Sequence, residues 1–267
     1  MKRRLLMLPG PTNVPDRVLQ AMAKPMINHR GSEFHELHER IVEGLKYAFQ
    51  TSGDVYALTC SGTGGVEAAI FNVVDPGDEV IMPIGGVFAE RMAEEVKSAG
   101  GRVVEIPVRW GSAVKASQVK EALEAHPGAK AVALVYNETS TGVTARELSK
   151  IGELTYKRGV LLIVDAVSIL GGDELRVDEW HVDVCVASSQ KCLACPPGLA
   201  LISVSQRAWK AMEERKARHS FYLDLIACRR FYEERRETPF TPAIPLYYAL
   251  DEALKMLREE GLETRIE

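Results

Sequence analysis

The chain has 267 residues, 46% hydrophobic and 26% charged, with a formal net charge of -4. That length and balance describe one large or two small globular domains with a sizeable core. They offer no basic field for nucleic acid or an anionic membrane, and no apolar run nears the roughly 18 residues that a membrane helix needs. The start, Met1-Lys2-Arg3-Arg4-Leu5-Leu6-Met7-Leu8, is basic then apolar, but Pro9-Gly10-Pro11 cuts the apolar part too short for a signal-peptide core. Five cysteines, an odd number in a chain too long to need a disulfide framework, point to a reducing cytoplasm.

In chain order, the first thirty residues are rich in Pro, Gly and Asn and predict an extended N-terminal arm, 1–30. His29, His35 and His38 cluster at its end; the last two sit in a helical pattern and are expected to be partly exposed. Short apolar runs then alternate with amphipathic stretches. Strand-like runs cover 55–59, 79–82, 102–106, 131–135, 160–164, 182–186 and 199–203, and helical patterns fall near 64–73, 87–99, 117–126 and 145–158. Several runs are unbroken by polar residues, as in strands covered on both faces. This alternation predicts an α/β fold with a mostly parallel sheet. Asp75-Pro76-Gly77-Asp78 and Pro127-Gly128 mark turns between units. After Ser203 the chain turns helical and charged, and Arg229-Arg230 with Glu233-Glu234-Arg235-Arg236 reads as a solvated helix face. Residues 244–260 predict one long amphipathic helix before Gly261.

Three places could carry chemistry. Ser61-Gly62-Thr63-Gly64-Gly65 follows a strand and opens a helix, where free N–H groups and the positive end of the dipole suit a phosphate. It lacks the Gly-Lys-Ser/Thr of a Walker loop and the full dinucleotide fingerprint, so alone it is a weak signal, and a tight turn with an N-cap is the plainer reading. Asp165 ends the most apolar run, Val160-Leu161-Leu162-Ile163-Val164, at the kind of strand end where ligands collect; a helix cap or turn residue is the plain alternative. Lys191 lies in a compact loop between Ser188-Ser189-Gln190 and Cys192-Leu193-Ala194-Cys195-Pro196-Pro197-Gly198. A lysine held there is a candidate Schiff-base nucleophile, and an aspartate is a candidate partner for a pyridine nitrogen. Together they suggest pyridoxal 5'-phosphate (PLP), for which a protein supplies a Lys and an Asp. Cys192 and Cys195 form a C-x-x-C with no second pair and no nearby His, which reads as small residues packed beside the lysine loop rather than as a zinc or redox pair.

The order of these motifs resembles the class V aminotransferases of PLP fold type I, and within them the alanine–glyoxylate / serine–pyruvate branch. The resemblance runs from Pro9-Gly10-Pro11-Thr12 through Leu262. It implies a large domain with a mostly parallel mixed sheet flanked by helices, here 31–243, with 244–267 as a long helix leading toward a small C-terminal domain absent from these residues. It implies that Lys191 bears the cofactor, that Asp165 pairs with the ring nitrogen, and that Ser61, Gly62 and Thr63 cup the phosphate. Phe88 stands where the family stacks an aromatic on the ring, often a Trp. Thr139, in Asn137-Glu138-Thr139-Ser140-Thr141-Gly142, and Gln190 are implied on the phenolic-oxygen side. Thr241, in Pro239-Phe240-Thr241-Pro242-Ala243, resembles the threonine that reaches a neighbouring subunit's phosphate, which implies a homodimer.

The implied reaction is transamination between a small amino acid, alanine or serine, and a 2-oxo acid, glyoxylate or pyruvate. Lys191 would move the α-proton as base and acid. The arginine that the family uses for the substrate carboxylate belongs to the small domain, and Arg30 is the nearest stand-in. A bare helix at 244–260 is expected to expose an apolar stripe. The alternatives are a PLP-binding protein without full catalytic competence, and a cysteine desulfurase or lyase of the same fold, against which Phe88 and Gln190 argue. A nucleotide-binding dehydrogenase would leave Lys191 unexplained.

Overall fold

The computed structural model describes residues 5–215 and 220–267; the basic start at residues 1–4 lies outside them. The arm holds one short helix, α1 (Asp16–Ala21), so it is not wholly extended. Helix α2 (Ser32–Phe49) follows, then β1 (Asp54–Leu58), α3 (Gly62–Val73), β2 (Glu79–Ile84), α4 (Val87–Ser98), β3 (Arg102–Pro107) and α5 (Ala116–Ala125). Next come β4 (Ala131–Val135), a small hairpin of β5 (Asn137–Glu138) and β6 (Val143–Thr144), α6 (Leu148–Arg158), β7 (Leu161–Asp165), β8 (Val184–Ser188) and β9 (Ala200–Val204). Helices α7 (Gln206–Glu213), α8 (Leu225–Arg235), α9 (Ile244–Glu260) and α10 (Leu262–Ile266) finish the chain.

Seven strands form one sheet in the order β1-β9-β8-β7-β4-β2-β3. Strand β9 runs antiparallel to both neighbours, and the pairs from β8 through β7, β4 and β2 to β3 are parallel, so the sheet is mixed but mostly parallel. Alternate residues of each central strand feed two cores. Val132, Leu134, Leu162 and Val164 face α2, α5, α6 and α9. Ala131, Ala133, Leu161 and Ile163 face α3, α4, α7 and α8. Period-2 alternation with apolar residues in both sets is what a strand buried on both faces requires. Truncating one such side chain, Leu162 for instance, would cost roughly 2–5 kcal/mol.

Helix α9 spans Ile244–Glu260, the range predicted. Its apolar face is covered, not exposed: Tyr247, Leu250, Leu254 and Leu257 are buried against α2 and α1. Ion pairs of Arg17 with Glu252 and Glu259 tie its outer edge to α1. His38 also departs from expectation. It is 2% exposed, among Phe34, Tyr232 and Tyr247, with Nδ1 3.0 Å from the Arg236 carbonyl. Burial pushes it down to about 4, so it is a neutral core residue. The charged face of α8 is as expected, with Arg229 paired to Glu233 and Glu213.

Candidate active site

The parallel strands place their carboxyl ends along one edge, where the site residues gather. Helix α3 begins there because Ser61 is a good N-cap: its Oγ accepts the Gly64 N–H at 3.3 Å. Helix geometry leaves the Gly62 and Thr63 N–H groups without carbonyl partners. The helix presses close to the sheet. A Cβ on Gly65 would lie 2.7 Å from the Ala200 Cβ and 2.8 Å from the Val186 Cγ1, so a small residue is needed to bring the N-terminus to the strand ends.

Asp165 is the last residue of β7 and is 7% exposed. Its Oδ1 accepts the Val167 N–H at 2.8 Å. Burial above all, then Glu138, pushes its carboxyl up to about 6, against the Val167 N–H, Arg91 and Lys191, which favour the charge. It lines a small cavity of about 30 Å³ together with Gly62, Thr63, Phe88, Arg91 and Glu95. Phe88 sits in the first turn of α4. Glu138 fixes that turn by accepting the Phe88 and Ala89 N–H groups at 3.4 and 3.1 Å, as a carboxylate at a helix N-terminus should.

Lys191 reaches the same edge from the loop after β8. That loop is closed by its own polar groups. Ser189 Oγ donates to the Pro196 carbonyl at 2.7 Å, and the Cys195 N–H donates to the Ser189 carbonyl at 3.0 Å. The N-terminal arm lies across it. Thr12 donates from N to the Gln190 carbonyl and from Oγ1 to the Lys191 carbonyl, both at 3.0 Å, and Lys191 Nζ donates to the Pro9 carbonyl at 3.0 Å. The ammonium thus meets a neutral acceptor, not a carboxylate. Gln190 Oε1 and Thr141 Oγ1 are buried with no hydrogen-bond partner, and Thr139, two residues before Thr141, is half-buried in the β5–β6 turn. All five cysteines are free, and burial raises the thiols of Cys192 and Cys195, which fits packing rather than redox work.

Of the predicted site residues, Gly62, Thr63, Phe88 and Asp165 share one cavity. Ser61 caps α3 just before Gly62, and the topology puts the loop of Gln190 and Lys191 after β8 at the same sheet edge as Asp165, on whose charge Lys191 acts. Thr241 does not join them. It is exposed in a separate cleft with Tyr222, Phe240 and Thr59, its Oγ1 3.5 Å from His29 Nε2. Arg30 is not free for a substrate. Its guanidinium donates to Glu237 at 2.6 Å and to the Thr238 and Pro239 carbonyls at 2.7 and 3.1 Å. The sequence reading passed over Glu138, Arg91, Glu95 and the Pro9 carbonyl. For Arg91 and Glu95 a signal existed: with Phe88 they stand at i, i+3 and i+7, one face of a helix.

The aminotransferase class-V family profile matches residues 4–267. An uncharacterized aminotransferase of Methanocaldococcus jannaschii is 46% identical over 99% of this chain and 68% of its own length. A serine–glyoxylate aminotransferase of Methylorubrum extorquens is 38% identical over 98% of this chain and 67% of its own. The crystal structure of an alanine–glyoxylate aminotransferase from Nostoc sp. superposes with a TM-score of 0.96 at 36% identity, covering 100% of this chain and 71% of that one.

Pyridoxal phosphate, the cofactor of such enzymes, fits the residues present. The α3 N-terminus offers N–H donors for an anion, Asp165 is a buried carboxylate with no cation paired to it at hydrogen-bond distance among the described residues, and the orphaned Gln190 Oε1 is a buried polar group in need of a partner. With Lys191 beside them, the set matches what this cofactor requires. The chain belongs to the class V aminotransferases, a family of PLP-dependent enzymes.

Proposed function

We propose that this chain transaminates a small amino acid, alanine or serine, with a 2-oxo acid, glyoxylate or pyruvate. The observation that carries this reading is the convergence of Lys191, the buried Asp165, the Phe88 wall and the open α3 N-terminus on one sheet edge. When bound, the cofactor supplies an electron sink that acidifies the amino acid's α-carbon. Asp165 would hold the proton of the cofactor's ring nitrogen, an ionic hydrogen bond in a buried setting. Lys191 Nζ would act as the base that takes the α-proton and as the acid that gives a proton back. Phe88, in the wall of the Asp165 cavity, would help to exclude water. The choice of donor and acceptor follows the named activities of the serine–glyoxylate and alanine–glyoxylate relatives. The same reading makes the protein a homodimer, with Thr241 serving a partner's phosphate, and places it in the cytoplasm, acting on small molecules rather than on nucleic acid or membranes.

The test joins mass spectrometry to an assay. Borohydride reduction of the PLP-loaded protein should leave a pyridoxyl group on Lys191, and Lys191→Ala should leave none; an adduct on another lysine overturns the assignment. L-Alanine or L-serine with glyoxylate should then give turnover, and turnover with aspartate alone would overturn the donor class.

The engagement of Arg30 by Glu237 favours one second reading, in which these residues bind PLP better than they transaminate because Arg30 is held away from a substrate carboxylate. Curated relatives are longer than the matched region, so the assay compares the 267-residue chain with a form extended to their length. Equal turnover by both would remove this reading.

A further inference from the structure

Helix α4 turns one face to the cavity that ends at Asp165. Phe88, Arg91 and Glu95 all line it. Arg91 is engaged in part by Phe88, its guanidinium carbon 4.9 Å from the ring centroid. Glu95 has no such partner: its Oε2 is closed off from solvent and makes no hydrogen bond. A carboxylate so placed is costly to ionise. The groups that face it are Asp165 from β7 and Glu67 from α3, both acidic, and Arg91 one turn back on α4. Glu138 and Lys191 also act on the Asp165 charge. Nothing in the proposed reaction uses Glu95.

We propose that Glu95 is an electrostatic positioning residue for the ring-nitrogen site, a second carboxyl that lines the cavity of Asp165 with one oxygen shut off from water and unpartnered, so that its own charge state tunes how strongly Asp165 faces the cofactor as an anion. This rests on the reading of Asp165 as the partner of the ring nitrogen.

The two carboxyls have different surroundings, which is why they divide the roles. Asp165 accepts the Val167 N–H and feels both Arg91 and Lys191. Glu95 has Arg91 alone against burial, Asp165 and Glu67, and is pushed up to about 8, while Asp165 lies at about 6. At pH 7 the pair therefore holds one charge and one proton. Two titratable groups driven apart by their settings are a recurrent way to assign one as the anion and the other as the neutral partner.

The first test needs no cofactor. An acid whose folded-state pKa is raised ionises first in the unfolded chain, so stability is lost as pH rises from about 4.5 to about 8. Glu95→Gln removes that loss. The apoprotein variant should melt several degrees above wild type at pH 9, with the gap closing toward pH 4.5. In an Asp165→Asn background the gap at pH 9 should shrink, because one source of repulsion is gone. An unchanged gap overturns the coupling. The second test titrates PLP into both forms. E95Q should bind it about three- to tenfold more weakly than wild type at pH 9, where the second charge is missing, and equally at pH 6. Equal affinity at pH 9 overturns the role toward the ring. A failure of the underlying reading shows separately, as wild-type PLP affinity in D165N at both pH values.

Discussion

Asp165 and Thr241 sit in opposite settings. Asp165 is buried at a strand end, and its hydrogen bond, its neighbouring charges and its cavity all come from its own chain. Thr241 is exposed, in a cleft rimmed by aromatic side chains, with Phe221 84% exposed and Tyr222 stacked on Phe240. Yet the backbone before Thr241 is held firmly, by Arg30 on the Thr238 and Pro239 carbonyls and by Glu237. Downstream, the Ala243 N–H donates to Thr59 Oγ1 at 3.1 Å. A group completed within one chain can be desolvated by that chain, and its chemistry is set by burial. A group clamped by its backbone but turned outward keeps its water, and its chemistry is not set by burial. Each of the following experiments tests that division.

The largest effect is expected from Asp165→Asn, and it should have opposite signs in the two forms of the protein. With PLP, loss of an ionic hydrogen bond worth roughly 1.5–3 kcal/mol should weaken binding about 10- to 150-fold. Turnover should fall further, because ring protonation matters most in the transition state. Without PLP, the variant should be the more stable. The Asp165 carboxyl is raised from 3.8 to about 6, so wild type loses stability as pH rises through that interval, by about 2–3 kcal/mol. The melting advantage of D165N should be absent near pH 4 and complete above pH 6. A variant less stable at every pH would mean that burial does not govern this residue.

Gly10→Ala comes next. Gly10 has φ +137, and a Cβ there would lie 2.6 Å from Lys191 Nζ. Backbone strain of about 1–3 kcal/mol and displacement of the amine should slow borohydride-trappable loading of Lys191 by roughly tenfold. Unchanged loading would show that the arm does not set the lysine's position.

Thr241→Ala should weaken PLP binding about 2- to 12-fold, the worth of one hydrogen bond of roughly 0.5–1.5 kcal/mol. The hybrid experiment is sharper. Mixed dimers of K191A and T241A subunits should recover one site of wild-type affinity if Thr241 acts across an interface. No recovery would place Thr241 on its own chain's site.

Arg30→Lys should be the mildest. Lysine cannot reproduce the forked contacts of Arg30, so the melting point should fall by a few degrees, for about 0.5–1.5 kcal/mol. PLP affinity should change less than in T241A, and a larger change would give Arg30 a direct part in binding.

Much of the molecule was legible in the sequence because the relevant signals are local. Unbroken apolar runs placed the central strands within a residue or two, and the amphipathic repeat placed α9 at Ile244–Glu260. Lys191 and Asp165 stood out because each sits where a loop leaves a buried strand. What the sequence left open depends on partners far along the chain. Ser61, Asp165 and Lys191 come to one sheet edge because the strand order β1-β9-β8-β7 puts the carboxyl ends of β1, β8 and β7 on the same side. His38 is a core residue, and α9 shows no bare stripe, because α8, α9, α1 and α2 pack against one another, and no helix's periodicity states what covers its face. Arg30 is engaged by residues more than two hundred positions away. Glu95 looks like one more charge on a surface helix until the fold turns it toward Asp165. Periodicity reports which face of an element is apolar; only the packed structure decides which charges that packing strips of water, and a carboxyl's chemistry follows from that desolvation.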